Sequence, residues 1–599
     1  MKHVVRTFLF IAALLMCAPV PAQVKSKKVD TPVTIYGNVK NTKGIPLHGV
    51  EVTVQDSFIN TDTDENGDFV IETTIGSVLA FSLLYYNDSY QLISSDDRLQ
   101  IFMEEAPRGA STRDDIMMSY GMTKKRNVTG SIASVSGDEL WETKKAPVGS
   151  GLSGRVVGLT ARTSSGNPGF DETSFFVRGV RTLARAGQNS VSYKSVCQPL
   201  VLVDGFERDF TNLNPDEIAS LSILKDAVAT AIYGHRAANG VILVTTKRAQ
   251  TNKRTIDFKY NFGVITPTNC MPDFVDSATY AEWFNEARVN DGYDPIYTQQ
   301  EIDTYRNHTS PLAYPDTDFQ QECFNTHALQ HQASLTMSGG NQTAKYFVAL
   351  GYLNQGSLYN TFKGLNTDFD VPANFNRYNI RSNADVKLAK WLTFTMDVAG
   401  IIKLTDMPAV SESSMYDAFH IPANQYPLYF YGYNPDLNKE RLMIGGNSVY
   451  KDNPFGYLAM AGVYTKTYRY YNTTAKFDVD LSSLTKGLSF EAVGYLDGYN
   501  YYQVSMSRTF RVWQVMEDFR GNQSYEHYGT EGTLGRGASY DWKRYYGFGG
   551  KLKYNTEWDD HALNSMAYYN FRAIQVKQND QSDYKYQDFG VWASYSYKK

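Results

Sequence analysis

The 599-residue sequence is poor in cysteine and in long apolar runs, and it has no excess of positive charge. Of its four cysteines, Cys17 falls in an N-terminal leader, and the widely spaced Cys197, Cys270 and Cys323 predict neither a disulfide framework nor a metal-binding set. No stretch approaches the roughly 18 apolar residues of a membrane-spanning helix. The formal net charge of −5 provides no basic surplus for binding phosphates, which argues against nucleic acid as a partner.

Aromatic residues, by contrast, are abundant. They make up 14% of the chain, 44 of them are tyrosines, and the mean hydropathy is only −0.40. This combination favours long β-strands with one apolar face, or the aromatic bands of a membrane interface, over a helical cytosolic enzyme. A chain that crosses a membrane without spanning helices must do so as a closed β-barrel.

The N-terminus has the features of a secretory signal peptide. Lys2 and Arg6 flank the start of a short apolar run, and Val20 and Ala22 occupy the −3 and −1 positions before Gln23. The run is about half the ~20 residues that a spanning helix requires, so residues 1–22 are predicted to be cleaved. A buried N-terminal helix is the alternative.

Residues 31–105 predict a small β-sandwich, because short alternating runs are separated by turn residues at regular spacing. Gly37-x-Val39, Gly44-x-Pro46 and Gly67-x-Phe69 also resemble the carboxypeptidase-regulatory-like domain, an accessory module of exported proteins.

Residues 106–130 form a polar linker with one short apolar segment, Asp115, Ile116, Met117 and Met118. A segment of this kind can add as a strand to the sheet edge of a partner, where backbone hydrogen bonds supply the affinity. A loop segment or an ordinary edge strand is the alternative interpretation.

Residues 131–250 predict a compact α/β unit. The sequence Asn214-Pro215-Asp216-Glu217 is typical of a helix N-terminus, and residues 240–246 predict a buried strand. An ordered set of motifs in this unit resembles the plug of SusC/RagA-type TonB-dependent outer-membrane transporters. These motifs are Ser153-Gly154-Arg155-x-x-Gly158-Leu159, Gly166-Asn167-Pro168-Gly169, Val177-Arg178-Gly179, Pro199-Leu200-Val201-Leu202-Val203-Asp204-Gly205, Ile223-Leu224-Lys225-Asp226-Ala227 and Ala238-Asn239-Gly240-Val241-Ile242-Leu243-Val244-Thr245-Thr246-Lys247.

The resemblance implies a non-enzymatic importer without a cofactor, located in the outer membrane of a Gram-negative bacterium. Such transporters take up glycan oligosaccharides or peptides, are driven by TonB with ExbB and ExbD, and pair with a SusD-like surface lipoprotein. Asp115 to Met118 would be the TonB contact. The gate would be formed by four plug cations that pair with acids of the barrel wall, namely Arg155, Arg178, Lys225 and Arg236.

Two departures from the family pattern are visible. Lys247-Arg248-Ala249 stands where the family usually has a glycine shortly after the lysine, and Ile116-Met117-Met118 replaces a valine-rich segment. Methionine is apolar and adaptable, so strand pairing with a partner remains the expectation.

Residues 255–599 predict about ten or eleven strands of a membrane barrel, about half of the 22 expected. A large soluble β-sandwich is the alternative. The long segment 406–467 is predicted to be an external loop, and its tyrosines are candidates for stacking on a sugar or a peptide: Tyr426, Tyr429, Tyr431 and Tyr433. Packing of these rings within the loop is the alternative.

The number of strands conflicts with a closed barrel around the plug. A plug of about 130 residues has an equivalent radius of roughly 18 Å. Ten tilted strands close at a radius of only about 10 Å, whereas 22 reach roughly 22 Å. The predicted fold is therefore mainly β, with an N-terminal β-sandwich, an α/β plug and a partial antiparallel transmembrane barrel, and we expect the N-terminal portion of a transporter that is truncated or completed by a downstream partner.

Three patterns imitate metal sites, and none is convincing. Asp62-x-Asp64-x-Asn66-Gly67 begins like a calcium loop but has Thr73 at position twelve. His48-x-x-Glu51 has no third ligand, and His327-x-x-x-His331 lacks the acidic residue of a metalloprotease. A surface glycan-binding or adhesion protein without transport, and a zinc peptidase with a regulatory domain, are the competing functions.

Overall fold

The computed structural model describes residues 32–597, and the signal-peptide prediction therefore lies outside the described residues. Within this range it leaves out residues 43, 55–58, 84–88, 95–97, 104–114, 119–120, 125–129, 144, 146, 164, 181–196, 250–253, 268–272, 342, 366–368, 417–418, 435–438, 519, 559–560 and 577–583. The chain divides into two compact units, Met1–Ser111 and Thr112–Lys599.

The first unit is a β-sandwich, as its alternating runs predicted. Its strands are β1 (Pro32–Asn41), β2 (Glu51–Val54), β3 (Asn60–Asp62), β4 (Asp68–Thr74), β5 (Val78–Ser82), β6 (Ser89–Leu92) and β7 (Leu99–Met103). One sheet has the order β4-β1-β7 and the other β3-β2-β5-β6. Alternate apolar side chains of both sheets, such as Ile35 and Phe81, are fully buried in one shared core.

The second unit begins with a hairpin of β8 (Asp115–Met118) and β9 (Gly121–Lys124) and continues into a mixed α/β unit. The strands of that unit are β10 (Ile132–Ser136), β11 (Leu159–Thr163), β12 (Thr173–Val177), β13 (Leu200–Val203), β14 (Phe206–Glu207), β15 (Ile218–Leu224) and β16 (Val241–Thr246). Five of them form a sheet in the order β10-β15-β16-β13-β14, with β13 parallel to β16, and β11 pairs with β12. Short helices α1 (Gly137–Trp141) and α2 (Ala227–Thr230) complete it.

The prediction of a helix that begins at Asn214 is wrong, although the N-terminal cap of such a helix is present. The Asn214 side chain accepts a hydrogen bond from the backbone N–H of Asp216, and the Glu217 carboxylate accepts one from the backbone N–H of Asn214. The helix is a single 3₁₀ turn, Pro215–Glu217, because the following residues form strand β15 between β10 and β16. Tertiary pairing of a β-branched apolar segment has overridden the local helix signal.

Ten long strands form one antiparallel sheet in chain order. They are β17 (Thr255–Ile265), β18 (Ala328–Gly340), β19 (Ala344–Gly356), β20 (Asn374–Ala389), β21 (Leu392–Pro408), β24 (Gly462–Asp480), β25 (Leu488–Ser507), β28 (Gly535–Trp558), β29 (His561–Val576) and β30 (Tyr584–Tyr597). Several run to 16 residues or more. They are therefore longer than the roughly 9 to 11 residues expected for the membrane-spanning part alone.

Short turns join the strands at one end of this sheet, and long connections lie at the other. The connections contain helices α3 (Ser277–Asn290), α4 (Gln299–Asn307), α5 (Phe319–Cys323) and α6 (Glu412–Tyr416), and a second sheet of β22 (Tyr429–Asn434), β23 (Lys439–Gly445), β26 (Val512–Glu517) and β27 (Gln523–Tyr528). Buried side chains from three different connections, among them Phe319, Tyr426 and Val512, share one core. The connections thus fold together as an ordered layer.

The face of the ten-stranded sheet that points away from the α/β unit is apolar and carries two aromatic bands. Tyr352 and Tyr378 pack with ring centroids 5.2 Å apart toward the long connections, and Phe394 and Phe477 pack 4.9 Å apart near the short turns. The bands are eight residues apart along β21, which corresponds to roughly 20 Å at ~3.4 Å per residue and a tilt of about 40°. Exposed residues between them include Leu350 and Val398.

No helix in the described part of the chain is both long enough and apolar enough to cross a membrane.

Candidate functional site

The α/β unit contacts the inward face of the ten-stranded sheet through charged side chains. Arg208, just after β14, makes a bidentate ion pair with Asp497 of β25, with nitrogen–oxygen distances of 2.7 and 2.9 Å. It also donates to the Thr474 hydroxyl at 2.8 Å, and both charged side chains are buried. A paired and hydrogen-bonded arginine fork satisfies the charge that burial would otherwise leave costly.

A second buried pair lies on β20, three strands from β25 in the sheet order. Arg381 of β20 donates from Nε to Glu217 at 2.8 Å, and both side chains are almost inaccessible to solvent. Its guanidinium also lies 3.9 Å from Asp204, whose carboxylate accepts hydrogen bonds from the backbone and hydroxyl of Thr246. The capping residue Glu217 therefore has a second use as the anchor of the α/β unit on the sheet.

Further pairs follow the same border. Lys259 of β17 donates to Asp216 at 2.6 Å. Arg248 donates to Asp397 of β21 at 2.7 Å and to Asp385 of β20 at 3.3 Å. Burial lowers the pKa of Arg248, but the neighbouring aspartates outweigh this effect and raise the pKa above its ordinary value. The arginine that stands near the family's usual glycine position is thus an anchor to the sheet.

Glu207 lies between two arginines, Arg236 of the α/β unit and Arg572 of β29, and accepts a hydrogen bond from each. Burial raises the pKa of this carboxyl, but the charges of Arg572 and Arg236 outweigh burial and hold the pKa below its ordinary value. One acid therefore connects the α/β unit to the sheet.

The ion pair and hydrogen bonds described for the predicted gate cations are with groups of the α/β unit, and the role of all four cations at a gate stays a prediction. Arg236 pairs with Glu207, which belongs to its own unit and not to the sheet. Arg178, in a left-handed backbone conformation (φ 54°), donates from its side chain to Ser131 at 2.9 Å, and Lys225 donates to the backbone oxygen of Val157 at 3.0 Å. Arg155 is exposed.

Within the described residues, the ion pairs that join unit and sheet use other residues: Arg208 and Arg248, and the acids Asp204, Glu207, Asp216 and Glu217. The prediction placed the cations on the α/β unit and the acids on the sheet. Most of these pairs have the reverse arrangement, with the acid on the α/β unit and the cation on the sheet. The sequence signal that was missed is the alternation of charged residues along the sheet strands, such as Arg377, Arg381 and Asp385, which indicates a polar inward face.

The plug-like motifs converge in space. Arg178 donates its backbone N–H to the carbonyl of Gly158 at 2.8 Å. Gly158 has φ +81°, and a Cβ there would approach the Lys225 side chain to 3.1 Å. Asp226 caps α2 by accepting a hydrogen bond from the backbone N–H of Ala229. Burial raises the pKa of the Asp226 carboxyl, but this and other hydrogen bonds from backbone N–H groups outweigh burial and lower the pKa. These short motifs hold the unit together.

A cavity of about 500 Å³ lies where the α/β unit meets the end of the sheet that bears the long connections. Its lining comes from one segment of the unit (Ser165, Asn167, Phe170), from strand ends (Met407, Pro408, Tyr464, Lys466) and from connections (Tyr359, Val410, Ser411). The Lys466 ammonium lies 4.4 Å from the ring centroid of Phe170 and 4.6 Å from that of Tyr464. Aromatic faces and a cation together suit a polar solute with apolar ring faces.

The four predicted substrate tyrosines divide into two pairs. Tyr426 is buried in the core of the connections, and Tyr429 stacks on Phe455 at 4.7 Å. Tyr431 and Tyr433 follow Tyr429 on the same side of β22 and are exposed. The packing alternative thus describes the first two rings, and a ligand role stays a prediction for the exposed pair.

Residues Asp115 to Met118, the predicted TonB contact, form strand β8 and pair antiparallel with β9, Asp115 opposite Lys124. Their role as a TonB contact stays a prediction.

Comparison with known proteins bears on the α/β unit first. Residues 124–241 match the family model described as the TonB-dependent receptor plug domain. The TonB-dependent receptor SusC of Bacteroides thetaiotaomicron is 26% identical over 369 residues, which cover 59% of this chain and 33% of SusC. The TonB-dependent receptor P3 of Formosa agariphila is 26% identical over 397 residues, 66% of this chain and 34% of that protein.

The fold is similar to that of a solved transporter. A chain in the structure of the RagAB peptide importer in the "open-open" state aligns with a TM-score of 0.57 and 20% identity, over 81% of this chain and 55% of that one. The chain thus spans about a third of the length of these curated relatives and about half of the solved one. The resemblance inferred from the motifs is confirmed: this chain is a relative of the SusC/RagA-type TonB-dependent receptors, and the α/β unit is their plug.

Proposed function

We propose that this chain takes part in TonB-dependent import of a nutrient across the outer membrane, with no enzymatic activity of its own. The observation that carries the proposal is the plug itself, anchored by ion pairs to the inward polar face of a sheet whose outward face has an apolar band between aromatic bands. The apolar outward face is suited to contact with lipid, and a plug held by ion pairs is suited to act as a gate. The relatedness to SusC and the fold shared with the RagAB importer support the same activity.

In this proposal, TonB binds strand β8 and transmits mechanical work to the plug. Backbone pairing with residues 115–118 would give TonB a grip that side-chain contacts alone do not provide. Opening the gate then requires separation of plug anions from sheet cations, and water must hydrate the separated charges. Arg236 is the predicted gate residue best placed for this step, because its partner Glu207 also binds Arg572 of the sheet.

The solute and the outer partner are proposed from the relatives and from the layer of connections. We propose that a glycan oligosaccharide or a peptide enters from the end that carries the long connections, under a SusD-like lipoprotein. Tyr431 and Tyr433 are the residues proposed for such contacts, because both side chains lie on β22 and are exposed. Amphipathic rings of this kind are common at recognition surfaces.

The TonB step is tested with a pair of variants at one position. Met117→Pro removes a backbone N–H and prevents extended pairing, whereas Met117→Leu keeps both the backbone donor and the apolar side chain. Binding of the purified full chain to the periplasmic domain of TonB is measured by surface plasmon resonance. We expect the leucine variant to bind like the native chain and the proline variant to lose binding; equal binding by both variants, or none by the native chain, would overturn the TonB-dependent function.

A further inference from the structure

The inward face of the sheet contains a cluster of three cations next to the cavity, here called the cation trio: Arg377 on β20, Lys403 on β21 and Lys466 on β24. Arg377 and Lys403 are directly opposite each other in the β20–β21 register. Lys466 is opposite Thr405, the next inward residue after Lys403 toward the long connections. The three positive charges therefore occupy neighbouring inward positions on three successive strands.

Two members of the trio are buried, and all three are poorly neutralised. Arg377 is 3% exposed and Lys403 5% exposed. Across the described residues, no ion pair within 4 Å involves any member of the trio, and the Nε of Arg377 is buried without a hydrogen-bond partner. Buried charges in proteins are normally paired, because an unpaired one carries the full cost of lost hydration.

The acids of the plug that face the trio are poor partners for it. Asp209 already accepts hydrogen bonds from Thr211 and Asn212. Burial raises the pKa of the Asp171 carboxyl and the charges of Lys403 and Arg377 offset this only in part, and among the described residues Asp171 forms no ion pair within 4 Å with either cation. Glu172 is exposed. None of these acids forms a direct contact that satisfies the cations.

The cavity places one member of the trio within reach of a solute. Lys466 lines it beside the rings of Phe170 and Tyr464, and those rings are its described contacts. A cation over aromatic faces is attracted by the rings, and it keeps its capacity to donate hydrogen bonds to an anion. Next to the cavity, tyrosines continue along the inward face, with Tyr468 and Tyr501 at a centroid distance of 4.9 Å.

We propose that this cavity binds an acidic sugar unit of the imported solute, a carboxylate or sulfate ester on a saccharide, with Lys466 as the anion ligand and Arg377 and Lys403 as supporting positive charge. The inference rests on the proposed function and makes it more specific, because it assigns a charge to the solute. Sugar rings suit the site because the aromatic faces of Phe170 and Tyr464 flank the ammonium. An acidic peptide is the rival ligand.

Binding to the purified full chain in detergent tests the proposal by calorimetry at low ionic strength. The probes are trigalacturonate and neutral galactotriose, galactose 6-sulfate and galactose, and triglutamate as the peptide. We expect at least one anionic saccharide to bind roughly tenfold or more tightly than its neutral counterpart, with an affinity that falls as salt is added. Equal binding of charged and neutral sugars, no binding of either anionic sugar, or preference for triglutamate would overturn it.

Variants of Lys466 assign the effect to the cavity. Lys466→Gln removes the charge and is expected to abolish most of the preference for the anionic sugar, whereas Lys466→Arg retains it. Lys439→Gln, on an exposed part of β23, is the matched control and should bind like the native chain. An unchanged preference in Lys466→Gln, with an unchanged melting temperature, would refute the site. This assay needs no TonB, so failure here and failure of TonB binding are separate results.

Discussion

At the scale of single residues, the buried pair of Arg208 and Asp497 has the clearest energetic consequence. Replacing Arg208 by methionine keeps most of the side-chain volume but leaves Asp497 buried without its partner. Breaking a buried pair in this way typically costs about 3–5 kcal/mol. We expect Arg208→Met to lower the free energy of unfolding by that amount, measured by urea unfolding of the full chain in detergent.

The control for this variant is an ion pair whose side chains are about half exposed. Arg306 pairs with Glu282 on the surface of the helical connection, where solvent screens the charges. Arg306→Met should change the free energy of unfolding by no more than about 1 kcal/mol. Equal losses for the two variants would mean that burial of the Arg208 pair does not matter.

Glu207 gives a residue-scale prediction about pH. Because Arg572 and Arg236 hold its folded-state pKa below the ordinary value of 4.5, its contribution to stability is complete above that value. The contribution is lost as the pH falls through the lowered pKa. Near pH 7 the native chain should therefore melt at a higher temperature than Glu207→Gln, and this difference should shrink only below about pH 4.5.

Melting temperatures of both chains between pH 7 and pH 3 provide the measurement. Glu286→Gln, on the exposed side of α3, should show a small difference at every pH. A Glu207→Gln difference that grows as the solution is acidified would contradict the sign of the shift.

At the scale of elements, strand β22 and the residues before it contain both a buried tyrosine and an exposed one. Tyr426 is 2% exposed and meets Phe319 edge-on at 5.0 Å, whereas Tyr431 is 66% exposed. Removing a large buried ring costs about 3–5 kcal/mol, and a surface change costs less than about 0.5 kcal/mol. We expect Tyr426→Ala to destabilise the layer of connections by that larger amount and Tyr431→Ala to leave it unchanged.

The fluorescence of Trp513, buried in the same four-stranded sheet, can report unfolding of this layer. If Tyr431→Ala destabilises as much as Tyr426→Ala, the exposed ring has a structural partner and is not free for a ligand.

Strands in which apolar and polar residues alternate regularly were predictable from the sequence. The hairpin of β18 and β19, the buried strand β16 and the sandwich strands follow from alternation that local residues determine. The α/β character of the plug and the large antiparallel sheet were likewise predictable and are confirmed. The lengths were not: strands such as β28 continue well past the ~10 residues of a bilayer-crossing segment, because they pair with neighbours beyond it.

Other elements depend on partners distant in the chain, and the sequence did not reveal them. The helices α3 and α4 begin at clear caps, Asp276 and Thr298, but these caps lie within a segment that was interpreted as part of a strand-rich region. Most ion pairs of the site join residues far apart in the chain, as Arg248 and Asp385 show, which are 137 positions apart. No local pattern specifies such a partner; only the alternation of charges on the inward face indicates that partners exist.

At the scale of the whole molecule, the ten-stranded sheet separates two environments. Its inward face holds the charged pairs of the plug border, and its outward face exposes Leu350, Val398 and similar side chains between aromatic bands. A soluble sandwich would bury that outward face against a second sheet. The exposed apolar band is therefore the feature of the molecule that calls for lipid.

The last prediction concerns this band. Val398 lies on the outward face between the two aromatic bands and is 37% exposed, whereas Val449, in a connection, is 77% exposed. An arginine at the middle of a lipid-facing strand costs about 2–4 kcal/mol, and one in water costs almost nothing. We expect Val398→Arg to reduce the fraction of the full chain recovered in urea-washed outer membranes and Val449→Arg to leave that fraction unchanged. Because both side chains are exposed, a purely aqueous surface would tolerate both substitutions. Equal recovery of the two variants would therefore mean that the outward face does not meet lipid.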